Sequence, residues 1–312
     1  MQRSFPSSPA DAPADAPRDY AAARGRLAHR WRPLSTLAIA GPDREAFLQG
    51  QLTQDVRNLG IGESRPAAGL TPRGKLLFFG RLVGEADRIL LLVAREAAPA
   101  VLAHLSRYAA FQKVEVRDAS QERAVLGLYG PEARRMKLPV EALRLPPQGE
   151  FSGELLVPAA ARAELETRLE EAGSLPVGEK AAEVLRVEAG RPRLGRDADG
   201  SNLPDEVGLQ NSVSPTKGCY VGQEVVARLR TYGRVNRRLV GFRFPGGAVP
   251  PGTVFPDPDK PALELGRVTS SVLSPRFGEI GLGLAFRDVP EGARLSISGD
   301  ARTAVVAPIP FA

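Results

Sequence analysis

The 312 residues contain one cysteine, Cys219, and only two histidines, His29 and His104. A single thiol makes no intrachain disulfide. With both histidines far from it along the chain, no single-chain soft-metal site can be assembled, so a metal or cluster would have to be shared with another molecule. The sequence also lacks the long apolar run that a membrane helix needs, and no membrane partner is expected. No apolar core of a secretory signal stands near the start, and Asp11, Asp15 and Asp19 argue against an acid-poor transit peptide. These absences predict a cytoplasmic protein. Aromatic residues are only 6%, and no basic cluster is interleaved with them. The net charge of +6, from 42 basic and 36 acidic residues, is therefore spread thinly. A nucleic-acid partner is not expected from this pattern, whereas a small anionic ligand would suit local basic residues.

What remains is ordinary for a globular protein, with 43% hydrophobic and 25% charged residues. The length exceeds what one hydrophobic core serves well, so two or three packed units are expected. Residues 1–22, with Pro6, Pro9, Pro13 and Pro17 among Ala, Ser and Asp, predict a flexible tail. From Leu34 an apolar strand leads through Gly41-Pro42-Asp43 into Phe47, Leu48 and Leu52 at helical spacing. The same grammar returns at Leu126–Ala133, where apolar residues lead into Gly130-Pro131-Glu132. Two related α+β halves follow, with a boundary near 120 inside a region spanning 23–236. Strands at 75–83 and 88–93 flank a turn at 84–87, which favours antiparallel sheets. Helices are expected over 96–108, 159–172 and 178–189. Beyond 236 the helical signal stops, and short strands separated by Gly, Pro and Asp turns predict a β-barrel over 237–312.

The densest local signal runs from Lys217 to Arg228 and holds the only cysteine. Val225, Val226 and Leu229 at helical spacing predict a helix starting just after Tyr220-Val221, with Gly233 as its stop and Glu224–Arg228 as an i,i+4 pair. Cys219 then lies just ahead of a helix N-terminus and two residues from Lys217, a setting that favours thiolate. The alternative is a small, inert, buried cysteine. Gly218 and Gly222 read as tight-turn residues in either case.

Lys217-Gly218-Cys219-Tyr220-Val221-Gly222-Gln223-Glu224 resembles the signature of the YgfZ family of folate-binding proteins, which are related to the T-protein (aminomethyltransferase) of the glycine cleavage system. Leu185–Gly190 is similar to the superfamily's Arg-x-Glu-Ala-Gly helix end, and Pro204-Asp205-Glu206 to its Pro-x-Glu. Arg237–Phe242, Gly266–Ser270 and Ser274-Pro275 resemble the T-protein barrel, and Phe47–Val56 its first helix. The likeness spans about 34–312. It implies two ferredoxin-like α+β units and a C-terminal barrel arranged as a ring around tetrahydrofolate or a derivative.

By the same resemblance Glu188 hydrogen-bonds the pterin, since a carboxylate accepts two parallel bonds from its amino and ring N–H edge. Arg228, Arg237 and Arg238 are candidates for the folate tail. T-proteins carry an aspartate where this chain has Phe78-Phe79, so transfer of an aminomethyl carbon in their manner is not expected. The resemblance implies instead an accessory factor for assembly or repair of iron–sulfur enzymes, with iron–sulfur proteins or assembly factors as partners and Cys219 as its functional thiol. The competing reading is a folate-dependent one-carbon transferase or demethylase with another base.

Overall fold

The computed structural model describes residues 16–136, 141–297 and 300–312. Most of the expected tail, 1–15, lies outside the described residues. Its last part does not behave as a tail, because Ala16–Gly25 forms a helix (α1) that buries Tyr20, Ala22 and Ala23. Composition misjudged this stretch because Pro17 falls in the first turn, where a helix tolerates proline, and Ala21, Ala22 and Ala23 follow, alanine being the best helix former.

Three sheets organise the chain. After Ala28–Trp31 (β1) come Leu34–Ala40 (β2), Arg44–Gln51 (α2), Ser64–Leu70 (β3), Leu76–Gly84 (β4), Arg88–Ala94 (β5), Ala98–Ala109 (α3) and Glu115–Asp118 (β6). Strands β2 to β6 form an antiparallel sheet in the order β3-β4-β5-β2-β6. The alternation along β2 explains its packing. Leu37 and Ile39 face α2 and α3 with Phe47, Leu48, Leu91 and Leu105, while Ala38 faces the other way. Each fully buried Leu or Phe in such a layer contributes about 1.5–3 kcal/mol.

The second unit comprises Arg123–Tyr129 (β7), Leu143–Leu145 (β8), Gly153–Pro158 (β9), Arg162–Glu171 (α4), Leu175–Pro176 (β10) and Glu179–Glu188 (α5). Its sheet runs β10-β1-β7-β9-β8, so β1 pairs with β7 and β10 and not with its neighbour β2. Leu126, Leu128, Leu155 and Val157 pack under α4, and Tyr129 and Phe151 pack under α1 and α5. The second Gly-Pro-acid junction opens only a 3₁₀ turn, Pro131–Arg135, and no α-helix. Ala38, Val83, Leu90 and Leu92 of the first sheet meet Val125, Leu145 and Leu156 of the second.

Gln223–Tyr232 (α6) precedes the third sheet, which holds Arg237–Arg243 (β11), Val254–Pro256 (β12), Glu264–Ser274 (β13), Gly278–Phe286 (β14), Arg294–Ser296 (β15) and Thr303–Ala307 (β16). Its order β12-β13-β14-β11-β16-β15 brings the edge strands β12 and β15 against one another, so the barrel is nearly closed. Phe242, Phe255, Val268 and Val306 fill it. A further cluster joins Leu70 and Leu76, Val187 at the end of α5, Val226 on α6, and Leu239, Ile280 and Leu282 of the barrel. Together with the polar contacts of α5 to β13 described below, this closes a ring of three units.

Candidate functional site

The motif is held on two sides. Lys217 is buried, and its Nζ donates to the carbonyl oxygens of Gln49 (2.8 Å), Leu52 (2.5 Å) and Gln54 (2.9 Å) at the end of α2. Burial lowers its pKa to about 8, an effect that Asp55 opposes and Arg57 reinforces. The ammonium also lies 5.0 Å from the centroid of the Tyr220 ring. The amide of Val221 donates to Gly50 O. On the other side Gly222 has φ +83° and caps α6, and a Cβ there would stand 2.6 Å from Thr71 O in the hairpin loop between β3 and β4. Glycine is required by both the left-handed backbone and the close approach. Gly74, in that loop, packs on Val225 in turn.

Between these anchors Cys219 is exposed. The reading of a buried, inert cysteine does not hold. The Lys217 ammonium spends its donors on the carbonyls of Gln49 in α2 and of Leu52 and Gln54 just past it. The turn reading holds for Gly222, whereas Gly218 has neither a positive φ nor a crowding neighbour. The helix runs from Gln223 to Tyr232 with Gly233 as C-cap, as its periodicity predicts. Glu224 and Arg228 share the wall of a cavity of about 350 Å³ with Val225, Leu229 and Gly233, and no ion pair joins them among the described residues.

Glu188 sits at the last turn of α5 with 2% exposure. Its carboxylate is held from three directions. Oε1 accepts from the Tyr20 hydroxyl (2.9 Å) and from Ser274 Oγ (2.6 Å), and Oε2 accepts from Arg24. Tyr20 and Arg24 lie one helical turn apart on α1, so both reach the same carboxylate. Arg24 is the most open of these partners, with its side chain 44% exposed. Sequence reasoning missed Tyr20 and Arg24 because they fall at the edge of the proline-rich segment, and only Ser274 was visible, through Ser274-Pro275.

Two residues before Glu188, Arg186 joins Glu183 and Asp197 and donates to Ser270 Oγ (2.7 Å), while Asp197 also accepts from Thr269. This network fastens α5 to β13. Phe78 points into the core of the first unit, and Phe79 points toward the cluster that contains Val187. The arginines proposed for the folate tail are dispersed. Arg237 pairs with Glu264 at 3.8 Å and Arg238 donates to Val289 O at 2.9 Å, both on the barrel, and no contact joins either one or Arg228 to Glu188 among the described residues. A second cavity, of about 530 Å³, is lined by Gln54, Asn211, Ser214 and the Asp205–Arg230 pair. Among the described residues no helix is long and apolar enough to cross a membrane, and no group of His, Cys, Asp and Glu can hold a metal ion.

No family model matches the chain. An aminomethyltransferase of Rubrobacter xylanophilus is 32% identical over 308 residues, covering 89% of this chain and 81% of its own. The tRNA-modifying protein YgfZ of Serratia proteamaculans is 31% identical over 259 residues, 76% of each chain. Among solved structures, the glycine cleavage system aminomethyltransferase T of Bartonella henselae superposes with a TM-score of 0.83 over 96% of this chain and 90% of that one, at 24% identity. At that identity the likeness establishes the fold. The expected arrangement of two α+β units and a barrel in a T-protein-like ring is thus the one observed.

Proposed function

The chain belongs to the YgfZ family of aminomethyltransferase-related proteins, and from that starting point we propose that it is a tetrahydrofolate-binding accessory protein that offers the Cys219 thiol to a partner. The observation that carries this reading is the seat of Cys219, a single exposed thiol between a lysine locked into three carbonyls and a glycine held at φ +83° against Thr71 O. Such rigidity is unnecessary for a surface cysteine without a task, and it suits a thiol that must meet a partner's group in a fixed orientation. The partner in this reading, taken from the family resemblance, is an iron–sulfur protein or assembly factor, and a cluster would be held jointly with it, since no group of His, Cys, Asp and Glu among the described residues could hold one.

Folate enters through Glu188. A carboxylate already holding the guanidinium of Arg24 fits the pterin's paired N–H donors, which have the same fork geometry. Arg24, exposed and at the margin, is the partner that the pterin replaces, while Tyr20 and Ser274 keep the carboxylate oriented. The transferase alternative is not favoured, since β4 carries no carboxylate and presents Phe79 toward the α5 end. Titration of the protein with tetrahydrofolate tests the ligand: saturable binding that weakens in Glu188→Ala is expected, and no binding refutes it. Cys219→Ala is expected to keep folate affinity yet fail to restore iron–sulfur enzyme activity in a deletion strain. Full restoration would remove the thiol from the mechanism.

A further inference from the structure

On the face of β4 turned toward the second sheet, Phe79, Arg81 and Val83 alternate with residues of the first core. An arginine in that apolar row is unexpected, and Arg81 is only 6% exposed. It belongs to a cluster built from four parts of the chain. Arg32, between β1 and β2, donates to Glu154 Oε1 on β9, and Arg81 Nη2 lies 3.2 Å from Glu154 Oε2. Arg191, just after α5, pairs with Glu150 at 3.0 Å and donates to Gln148 O at 3.3 Å. The Phe151 ring lies under both Arg32 (4.8 Å) and Arg191 (5.7 Å), and Tyr129 packs 4.9 Å from it.

Three guanidinium groups thus share two carboxylates. The hydrogen bonds are incomplete as well: among the described residues Arg81 Nη1, the Tyr129 hydroxyl and Glu154 Oε2 are buried without a hydrogen-bond partner, although Glu154 Oε2 is ion-paired to Arg81 Nη2, so the guanidinium edge at Nη1 is the donor left with no anion opposite it. Burial, reinforced by the charges of Arg32 and Arg191, lowers the pKa of Arg81 to about 10 against the pull of Glu154. A buried cation in excess of its anions is costly, and apolar side chains of like volume would serve packing better. The same excess is what a buried anion requires, with a guanidinium edge free to donate.

We infer that Arg81, Arg32 and Arg191 form a binding site for one small oxyanion, a carboxylate or a phosphate group. The site is separate from Cys219 and does not rest on the folate reading. Arg191 is its most accessible arginine, with 24% of its side chain exposed against 14% for Arg32 and 7% for Arg81.

Thermal unfolding of the whole protein tests the site, with inorganic phosphate or acetate raised at constant ionic strength against a chloride salt. A saturable rise in the midpoint is expected. In Arg81→Met the charges balance, so the midpoint in chloride should not fall and the response to phosphate should vanish. Arg191→Gln, at the accessible margin, should fold normally and need on the order of tenfold more phosphate for the same rise. p-Aminobenzoylglutamate, which carries the carboxylates of a folate tail, separates two sources of the anion. Competition with phosphate assigns the site to such a tail, and phosphate binding without competition assigns it to a free anion. A midpoint indifferent to phosphate and acetate, or an Arg81→Met response equal to that of the parent, overturns the inference.

Discussion

The hydroxyl of Tyr20 donates to Glu188 Oε1 at 2.9 Å, joining residues 168 positions apart. The first helix is thereby fixed to the carboxylate that the resemblance assigns to the pterin, and Ser274 of the barrel reaches the same oxygen. A residue from each end of the chain and one from its middle meet at one buried charge. Tyr20→Phe leaves the ring packing intact and removes one bond to that charge. The expected loss is about 1.5–3 kcal/mol, read from urea unfolding. Arg24→Ala should cost less, because its side chain is 44% exposed and water screens the pair.

His29 is half-buried on β1 beside Ser174 Oγ, and desolvation lowers its pKa from 6.5 to about 4, with Glu166 opposing. Between those values the unfolded chain binds a proton that the folded chain does not. Stability from this group is therefore complete above about pH 6.5 and lost as the pH falls toward 4. His29→Gln should flatten that part of the acid branch in denaturation curves, and an unchanged branch would contradict the assignment.

Lys217 gives the opposite end of the scale. Its folded pKa of about 8 lies below the ordinary 10.5, so the cost of burying the ammonium is full below pH 8 and is relieved as the pH rises through that window. The stability of the parent relative to Lys217→Met should rise from pH 8 to 10.5. At neutral pH the substitution leaves the carbonyls of Gln49, Leu52 and Gln54 without their donor and should destabilise by about 2 kcal/mol or more. A difference that stays flat with pH would show that the ammonium is not desolvated.

Gly222→Ala forces an L side chain to φ +83° with its Cβ 2.6 Å from Thr71 O. The expected cost is about 1–3 kcal/mol, together with altered Cys219 labelling by a thiol reagent, because the loop must shift. Gly218→Ala, at a position with open space, is the control and should leave both quantities nearly unchanged.

Cys219→Ser at an exposed position should change stability by less than about 0.5 kcal/mol. The folded parent should react with one equivalent of thiol reagent without denaturant. Protection of the thiol until unfolding would refute its exposure.

Much of the fold is legible in the chain because local rules and tertiary packing agree. The limits of α6 follow from its periodicity and Gly233, and the β4–β5 hairpin follows from Gly84–Asp87. The barrel strands are visible as short apolar runs between turns. Short strands were hidden: Val254–Pro256 is three residues long and Leu175–Pro176 only two, so neither carries a readable alternation. At the candidate site, exposure of Cys219 and the direction of the Lys217 ammonium are set by α2 and the 71–74 loop, which lie more than 140 residues earlier. Tyr20 and Arg24, which hold Glu188 from more than 160 residues earlier, were concealed by distance as well as by the proline-rich segment beside them. The charge imbalance around Arg81 arises only when β1, β4, β9 and the end of α5 come together, and no window of sequence contains it.

The pairing of β1 with β7 and β10 carries a consequence for the order of events during synthesis. Ala28–Trp31 leaves the ribosome about a hundred residues before its β7 partner and still longer before β10. Meanwhile the first sheet, β2 to β6, lies wholly within residues 34–118 and has every strand it needs. The first unit can close while β1 waits as an unpaired edge. Severing the chain near residue 120 would strand β1 on the wrong fragment, so the second unit is expected to be recoverable only when residues 16–31 are supplied with it.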